Sequence, residues 1–335
     1  MTKREKRLWI LYGGILLFLF LLSSTDLILK EKEPEIYPIS VIIEDAADDD
    51  YVNFRKGMER AAVELNADVR FITLYEEGNR AQQEELMLRE QQDGSRALIV
   101  SPVDLDAVLH MRSEKEITVP VVLLNSEYTL PGDNGSAGLS FDYYDMGREL
   151  GEKIMENHGQ EQPVYLVGEK GKDRISSRFQ EGILETLEPA GCRLFFIRQP
   201  VAELEDRIET LVEENLTKDA AEPEAEKTAV VIAALDSASL AETARILTER
   251  EDLASHVTGL YGRGNTVPVL NYLDKGIIKG LCVTDDFSLG YLSVTAAVDL
   301  AGGHSAADVG YLDSHYIQKE DLRKEEYEKM LYPIE

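Results

Sequence analysis

Beyond Pro38 the chain repeats one pattern. A short run of Val, Ile and Leu is followed by a longer stretch in which apolar positions recur at helical spacing. The apolar runs are ISVII (39–43), VRFITL (69–74), ALIVS (97–101), VPVVLL (119–124), VYLVG (164–168), RLFFI (193–197), AVVIAA (229–234), VTGLY (257–261) and KGLCV (279–283). They are continuous rather than alternating, which predicts strands buried on both faces, as in parallel sheets. The stretches between them predict helices. In 51–65, Val52, Met58, Ala62 and Leu65 share a face, and 142–157 and 286–300 behave likewise. Strand–helix alternation means βαβ units and a doubly wound α/β architecture. Roughly equal numbers of units lie before and after residue 130, so two parallel-sheet lobes are expected, joined by a three-strand hinge. PGDNGSAG (131–138) interrupts the pattern and is the expected first crossing; the others are expected near 283–286 and 310–313. The lobes would then comprise 38–130 with 286–312, and 131–285 with 313–335. The acidic stretch 218–227 reads as an exposed loop insertion.

The N-terminus follows a different rule. Leu8 to Thr25, LWILYGGILLFLFLLSST, is eighteen residues without a charge, enough for one helical membrane crossing. Lys3, Arg4, Lys6 and Arg7 outnumber Glu5 ahead of it, and such a basic cluster stays in the cytoplasm. A cleaved signal peptide and an uncleaved signal anchor are both open. The run ends Ser23-Ser24-Thr25-Asp26, with no Ala-x-Ala site and no Cys to take a lipid, and its length favours the anchor. Residues 1–30 are therefore read as basic tip and transmembrane helix, and 31–37 as a linker. The remainder is expected outside the cell membrane, extracellular or periplasmic.

Composition narrows the function classes. Lys and Arg number 35 against 63 Asp and Glu, a net charge of −28, and the basic N-terminus leaves the rest more acidic still. Such a surface repels phosphate backbones, so nucleic acid is excluded as a partner. Cys192 and Cys282 are too few for a disulfide framework or a thiolate zinc site, and both are expected to be buried in strands. The histidines (110, 158, 256, 304, 315) are scattered, and no Gly-x-Ser-x-Gly elbow occurs. Gly168 to Asp173 is too short for a phosphate loop, and Gly262-Arg-Gly264 has Val267 where a dinucleotide fingerprint needs glycine. No enzyme chemistry and no cofactor is indicated. Residues 44–50 hold five carboxylates but lack the Asp-x-Asp-x-Asp-Gly spacing of a calcium loop, so they read as a solvated loop before a helix.

The order of segments resembles the ribose-type periplasmic sugar-binding proteins (type I periplasmic binding proteins) and the ligand-binding core of lactose-repressor-type regulators. The residues carrying the resemblance are ISVIIEDAADDDYVNFRKGMERAAVEL with Gly57, ALIVSPVDLDAV (97–108), VPVVLLNSE (119–127), SFDYYDMGRELGEKI (140–154), FQEGILETL (179–187) and GIIKGLCVTDDFSLGYLSVTAAVDLAGG (276–303). Together they cover residues 38 to about 320. No basic helix-turn-helix precedes them, which sets aside the DNA-binding branch.

The resemblance implies a cleft between two lobes that closes on a small polar ligand. Sugar sites combine planar hydrogen-bonding groups with an aromatic plate. On the family pattern Asp48, Asp50 and Tyr51 fall in the first ligand loop, Tyr51 as the stacking ring, and Asn125 stands where a sugar-binding Asp is usual. Ser126 and Ser177 stand where Arg is frequent, Leu235 where Asn is usual, Tyr261 where Asp is usual and Thr284 where Gln is usual. Arg178, Asp236, Arg263 and Asp285 are the neighbours able to substitute. The implied function is a membrane-tethered binding protein for a sugar, delivering it to an ABC permease or reporting it to a sensor histidine kinase. The alternative is an interaction module with a degenerate cleft.

Overall fold

The computed structural model describes residues 2–24, 36–44, 51–76, 78–126, 134–168, 174–219, 229–306 and 311–332, without the side chains of 23–24, 212–219 and 329. The chain forms two compact units, Met1–Ile36 and Tyr37–Glu335. The first contains helix α1 (Lys3–Ser24), whose apolar side chains from Leu8 to Leu21 are exposed on every face. Among the described residues no helix is long and apolar enough to cross a membrane. Within the described side chains of α1 the charge-free run is only Leu8–Leu22.

The second unit opens with β1 (Tyr37–Ile43), α2 (Val52–Leu65), β2 (Ala67–Thr73), α3 (Arg80–Gln92), β3 (Ala97–Val100), α4 (Leu105–Ser113), β4 (Val121–Leu124) and β5 (Ser136–Phe141). It continues with α5 (Tyr143–His158), β6 (Val164–Val167), α6 (Arg174–Leu187), β7 (Leu194–Ile197), α7 (Leu204–Asp219), β8 (Val230–Ala234), α8 (Ser237–Glu249), α9 (Glu251–Ala254), β9 (Val257–Arg263), α10 (Val267–Asp274) and β10 (Gly280–Thr284). The last elements are α11 (Asp286–Ala301), β11 (Tyr311–Leu312), β12 (Ser314–Ile317) and α12 (Glu325–Leu331). One sheet has the order β11-β5-β4-β3-β1-β2 and the other β12-β10-β9-β8-β6-β7. Every pair is parallel except β10 with β12. The unit is thus two doubly wound α/β lobes, with the strand order reversing direction at β1/β3 and at β6/β8.

Strand burial explains why the sequence runs were continuous. In β3, Ala97 and Ile99 face the core beneath α2 and α11, while Leu98 and Val100 face the opposite core with Met87, Val108 and Met111. All four are completely buried, and each large aliphatic side chain so buried contributes about 1.5–3 kcal/mol. Ser40 is the polar exception in β1. Its hydroxyl donates to the buried Glu90 carboxylate at 2.9 Å.

Three sequence expectations need correcting. PGDNGSAG is not the first passage between lobes, because β5 begins at Ser136 and pairs with β4, Val121 opposite Ser136. The passage follows Phe141, with Asp142 alone between β5 and α5. The buried face of α2 is Phe54, Gly57, Met58 and Ala61, a strict helical stripe, whereas Val52 is exposed. Of the two cysteines, Cys282 is buried in β10, but Cys192 is only partly buried and precedes β7, its thiol donating to the Met155 sulfur at 3.3 Å.

Each lobe is closed by two helices crossing at glycines. A Cβ on Gly57 of α2 would lie 1.9 Å from the Phe287 carbonyl oxygen of α11, and one on Gly290 of α11 would lie 2.0 Å from that of Phe54. In the other lobe Gly147 of α5 meets the Phe179 carbonyl of α6, and Gly182 meets that of Tyr144, both at 2.0 Å. In all four helices the aromatic stands three residues before its glycine. Backbones come this close only where no Cβ intervenes, and Cα–H groups then face carbonyl oxygens. Alanine at Gly57 or Gly290 is expected to destabilise the chain by about 1–3 kcal/mol through overpacking. Urea unfolding of the full chain measures it, and Gly57→Ala combined with Gly147→Ala should be additive because the two crossings share no residue.

Candidate functional site

A cavity of about 380 Å³ lies between the lobes, at the carboxyl ends of both sheets. That is where open α/β sheets present their loops and helix starts. Glu44 and Tyr51, at either end of the segment between β1 and α2, line its first-lobe side with Leu124 and Asn125 from the end of β4. The second lobe contributes Ser176 near the start of α6, Asp236 after β8, and Arg263 and Asn265 at the end of β9. Tyr143, Thr284 and Asp286 sit where the chain passes between lobes.

These polar groups hold one another in place. Asn125 adopts a left-handed conformation, φ 52°, which asparagine tolerates better than branched residues, and its Oδ1 accepts from the Tyr143 hydroxyl at 2.8 Å. Arg263 Nε donates to the Leu235 carbonyl at 2.7 Å and Nη2 to the Ser176 hydroxyl at 3.1 Å, with its guanidinium 5.8 Å from the Tyr143 ring centre. Asp286 accepts from the Thr284 hydroxyl at 2.8 Å and from Asn265 Nδ2 at 2.7 Å. Asp236 caps α8, taking the Ser239 N–H at 2.7 Å. Tyr51 packs edge-on to Phe54 at 6.1 Å and against Phe71 at 5.9 Å, so its ring forms part of an aromatic wall.

Of the residues expected from sequence, Tyr51, Asn125, Asp236, Arg263 and Thr284 come together on this cavity. Asp48 and Asp50 lie outside the described residues. The others are displaced for identifiable reasons. Ser177 and Arg178 are exposed on α6, Arg178 paired with Glu181 at 2.7 Å, and Ser176, one position earlier, is the residue on the cavity. Asp285 is the N-cap of α11, its carboxylate taken by Ser288 N–H and hydroxyl at 3.0 and 2.6 Å, while both its neighbours line the cavity. Ser126 is fully buried beyond Asn125, its N–H directed to the Leu139 carbonyl. Tyr261 lies two residues short of the strand end and turns into the second-lobe core, where its hydroxyl meets His158 Nε2 at 2.9 Å. Leu235, where the resemblance implied Asn, contributes its carbonyl instead, accepting from Arg263 and Ser176. Sequence reasoning missed Tyr143 and Asn265; the signal for Tyr143 was its place one residue after the helix-capping Asp142.

The arrangement offers planar amides, carboxylates, a guanidinium, hydroxyls and an aromatic wall, a recognition set for a polyhydroxylated molecule. Among the described residues no group of three or more His, Cys, Asp and Glu is placed to hold a metal ion. The Cys282 thiol on the cavity wall is pushed well up by burial, so it is not an activated nucleophile.

Comparison with known proteins gives a consistent picture. A scan of protein families matches residues 39–305 to the periplasmic binding protein domain. A search of curated proteins returns no match. Among solved structures, the chain is similar to GanP, a glucose-galactose binding protein from Geobacillus stearothermophilus, with TM-score 0.71 and 17% identity over 87% of this chain and 100% of that one. An ABC transporter solute binding protein from Agrobacterium vitis bound with α-D-tagatopyranose superposes with TM-score 0.73 at 14% identity, covering 89% and 100%. The complex of the TorS sensor domain with TorT gives TM-score 0.73 at 16% identity, covering 89% and 98%. At these identities the likeness is one of fold.

The Tyr261–His158 contact behind the cavity has a measurable pH signature. Burial, outweighing a hydrogen bond with Gln162, holds the half-buried His158 below the ordinary imidazole range. The unfolded chain therefore takes the proton first as pH falls. The contribution is complete above about pH 6.5 and is lost as pH drops toward the lower folded value. His158→Gln retains a partner for the Tyr261 hydroxyl but does not titrate. Between about pH 7.5 and about pH 5 its urea stability is expected to fall less than that of the unmodified chain; equal falls would show that His158 is not desolvated.

Proposed function

The chain belongs to the periplasmic binding protein domain family, and from that premise we propose that it is an extracytoplasmic receptor, tethered by its N-terminal helix, that closes its two lobes on a small sugar. The family is one of binding proteins rather than enzymes. One observation carries the reading of the site: a sugar-sized cavity at the carboxyl ends of both sheets, walled by polar groups from both lobes. A ligand held by Glu44, Tyr51 and Asn125 on one side and Ser176, Asp236 and Arg263 on the other is bound best when the lobes are closed, so occupancy becomes a change of shape. Asp48 and Asp50 belong to the same reading through their place in sequence between Glu44 and Tyr51.

The sugar class is supported by the donor set and by relatives of the same fold described as binding glucose and galactose or tagatopyranose. Calorimetric titration of the full chain in detergent against neutral hexoses and pentoses is expected to find at least one that binds. Tyr51→Ala and Arg263→Ala should each weaken it about tenfold or more, the loss of one stacking ring or one charge-assisted contact. A chain that binds none of them leaves the interaction module with a degenerate cleft as the surviving reading.

Support for the tether is the eighteen-residue uncharged run from Leu8 to Thr25 behind four basic residues, whose side chains from Leu8 to Leu21 put apolar groups on every face of the helix. The output would pass to an ABC permease or, through the tether, to a sensor kinase; a TorS sensor domain complexed with TorT is a neighbour in fold. The chain is expected to resist alkaline extraction from membranes and to keep its N-terminus by intact mass. Leu16→Arg, at a cost of about 2.5–3.5 kcal/mol for a central charge, should release it. Loss of residues 1–25 from the mature chain would establish a cleaved signal peptide instead.

A further inference from the structure

We infer that the C-terminal helix α12 is a latch that holds the two lobes together from outside the ligand cavity. The helix belongs to the second lobe: Met330 and Leu331 are buried in that lobe's core with Leu322, Ile317 and Leu273. The last carbonyls of any helix lack partners within it. Here the Leu331 carbonyl is satisfied from the other lobe, by Asn53 Nδ2 in the first turn of α2 at 3.1 Å, across 278 residues of chain.

The contact is placed to influence closure. Asn53 follows the cavity-lining Tyr51 by two residues. Beside it runs a second groove of about 380 Å³ between the start of α2, residues 265–268 and residues 331–332. Asn265 and Asp286 line both this groove and the ligand cavity, and their 2.7 Å hydrogen bond joins the two lobes at the shared wall. Any rotation that parts the lobes on the groove side pulls Asn53 from Leu331 and moves α2, which carries Tyr51. The latch therefore adds to the stability of the closed arrangement independently of the solute. By raising the closed fraction it strengthens apparent affinity by the same factor.

This rests on the two-lobe closing mechanism proposed above, but its test needs no ligand. Spin labels are placed on the exposed positions Glu85→Cys in α3 and Glu185→Cys in α6 of the full chain in detergent, with Cys192→Ser to remove the other reachable thiol. Pulsed electron resonance then reads the distance between lobes. The unmodified latch is expected to give one dominant distance, and Asn53→Ala to add a second, open population. Asn53→Asp should do so more strongly, since its carboxylate repels the Leu331 carbonyl. Aspartate suits the first turn of a helix, so this variant keeps α2 intact. An Asn53→Asp distribution identical to that of the unmodified chain, with an unchanged melting temperature, overturns the latch while leaving solute binding untouched. Sugar binding can likewise fail without affecting this measurement.

Discussion

Four contacts between a helix backbone and a glycine govern the whole binding unit. Each lobe would fall open along its inner face if α2 and α11, or α5 and α6, stood a side chain further apart. Gly57, Gly147 and Gly290 lie within the first two turns of their helices and Gly182 in the third turn of α6, so in α2, α5 and α11 what is pinned most tightly is the helix start. Those starts deliver Tyr51, Tyr143 and Asp286 to the cavity, and the start of α6 adds Ser176. Packing and recognition are thus one constraint, and a pocket between separate lobes can be preorganised although its walls come from distant parts of the chain.

The second lobe repeats the first in strand order, in the direction reversal at its centre and in the spacing of aromatic and glycine in its crossing helices. It does not repeat the chemistry. The first lobe offers Glu44, Tyr51 and Asn125; the second offers Asp236, Arg263 and Asn265. The space between them is thus bounded by an aromatic ring on one side and a guanidinium on the other. Such asymmetry orients a ligand that symmetrical walls would leave free to turn.

Much of this was legible in the sequence because burial on both faces leaves an unbroken apolar run. All nine runs became strands, but β2 and β7, at the sheet edges, are only partly buried, with Phe195 and Phe196 exposed. β5 was not legible: SAGLSF carries the Ser and Gly that usually signal a turn, and only its pairing with β4 makes it a strand. β11 has only two residues, and β12, SHYI, carries no apolar run. At the site, the correct loops were found but not always the correct residue. Ser177 stood for Ser176 and Asp285 for Asp286, because one step along a helix start rotates a side chain by about 100°. Tyr261 was misplaced because the run VTGLY stops short of the strand, which continues through Gly262 to Arg263, so Tyr261 lies in the buried middle and not at the end. Leu235 acts through its backbone, which no side-chain comparison could register.

Each of the three passages between lobes is a single residue, and each is an aspartate: Asp142, Asp285 and Asp313. Two of them cap the helix that follows, and the Asp285 N–H donates to the Asp313 carbonyl. Three connectors this short leave no slack for sliding or twisting, only for swinging about the line that joins them. Guests of different bulk would then be distinguished by how far the gate stands ajar, so that the size of a guest is written as an angle.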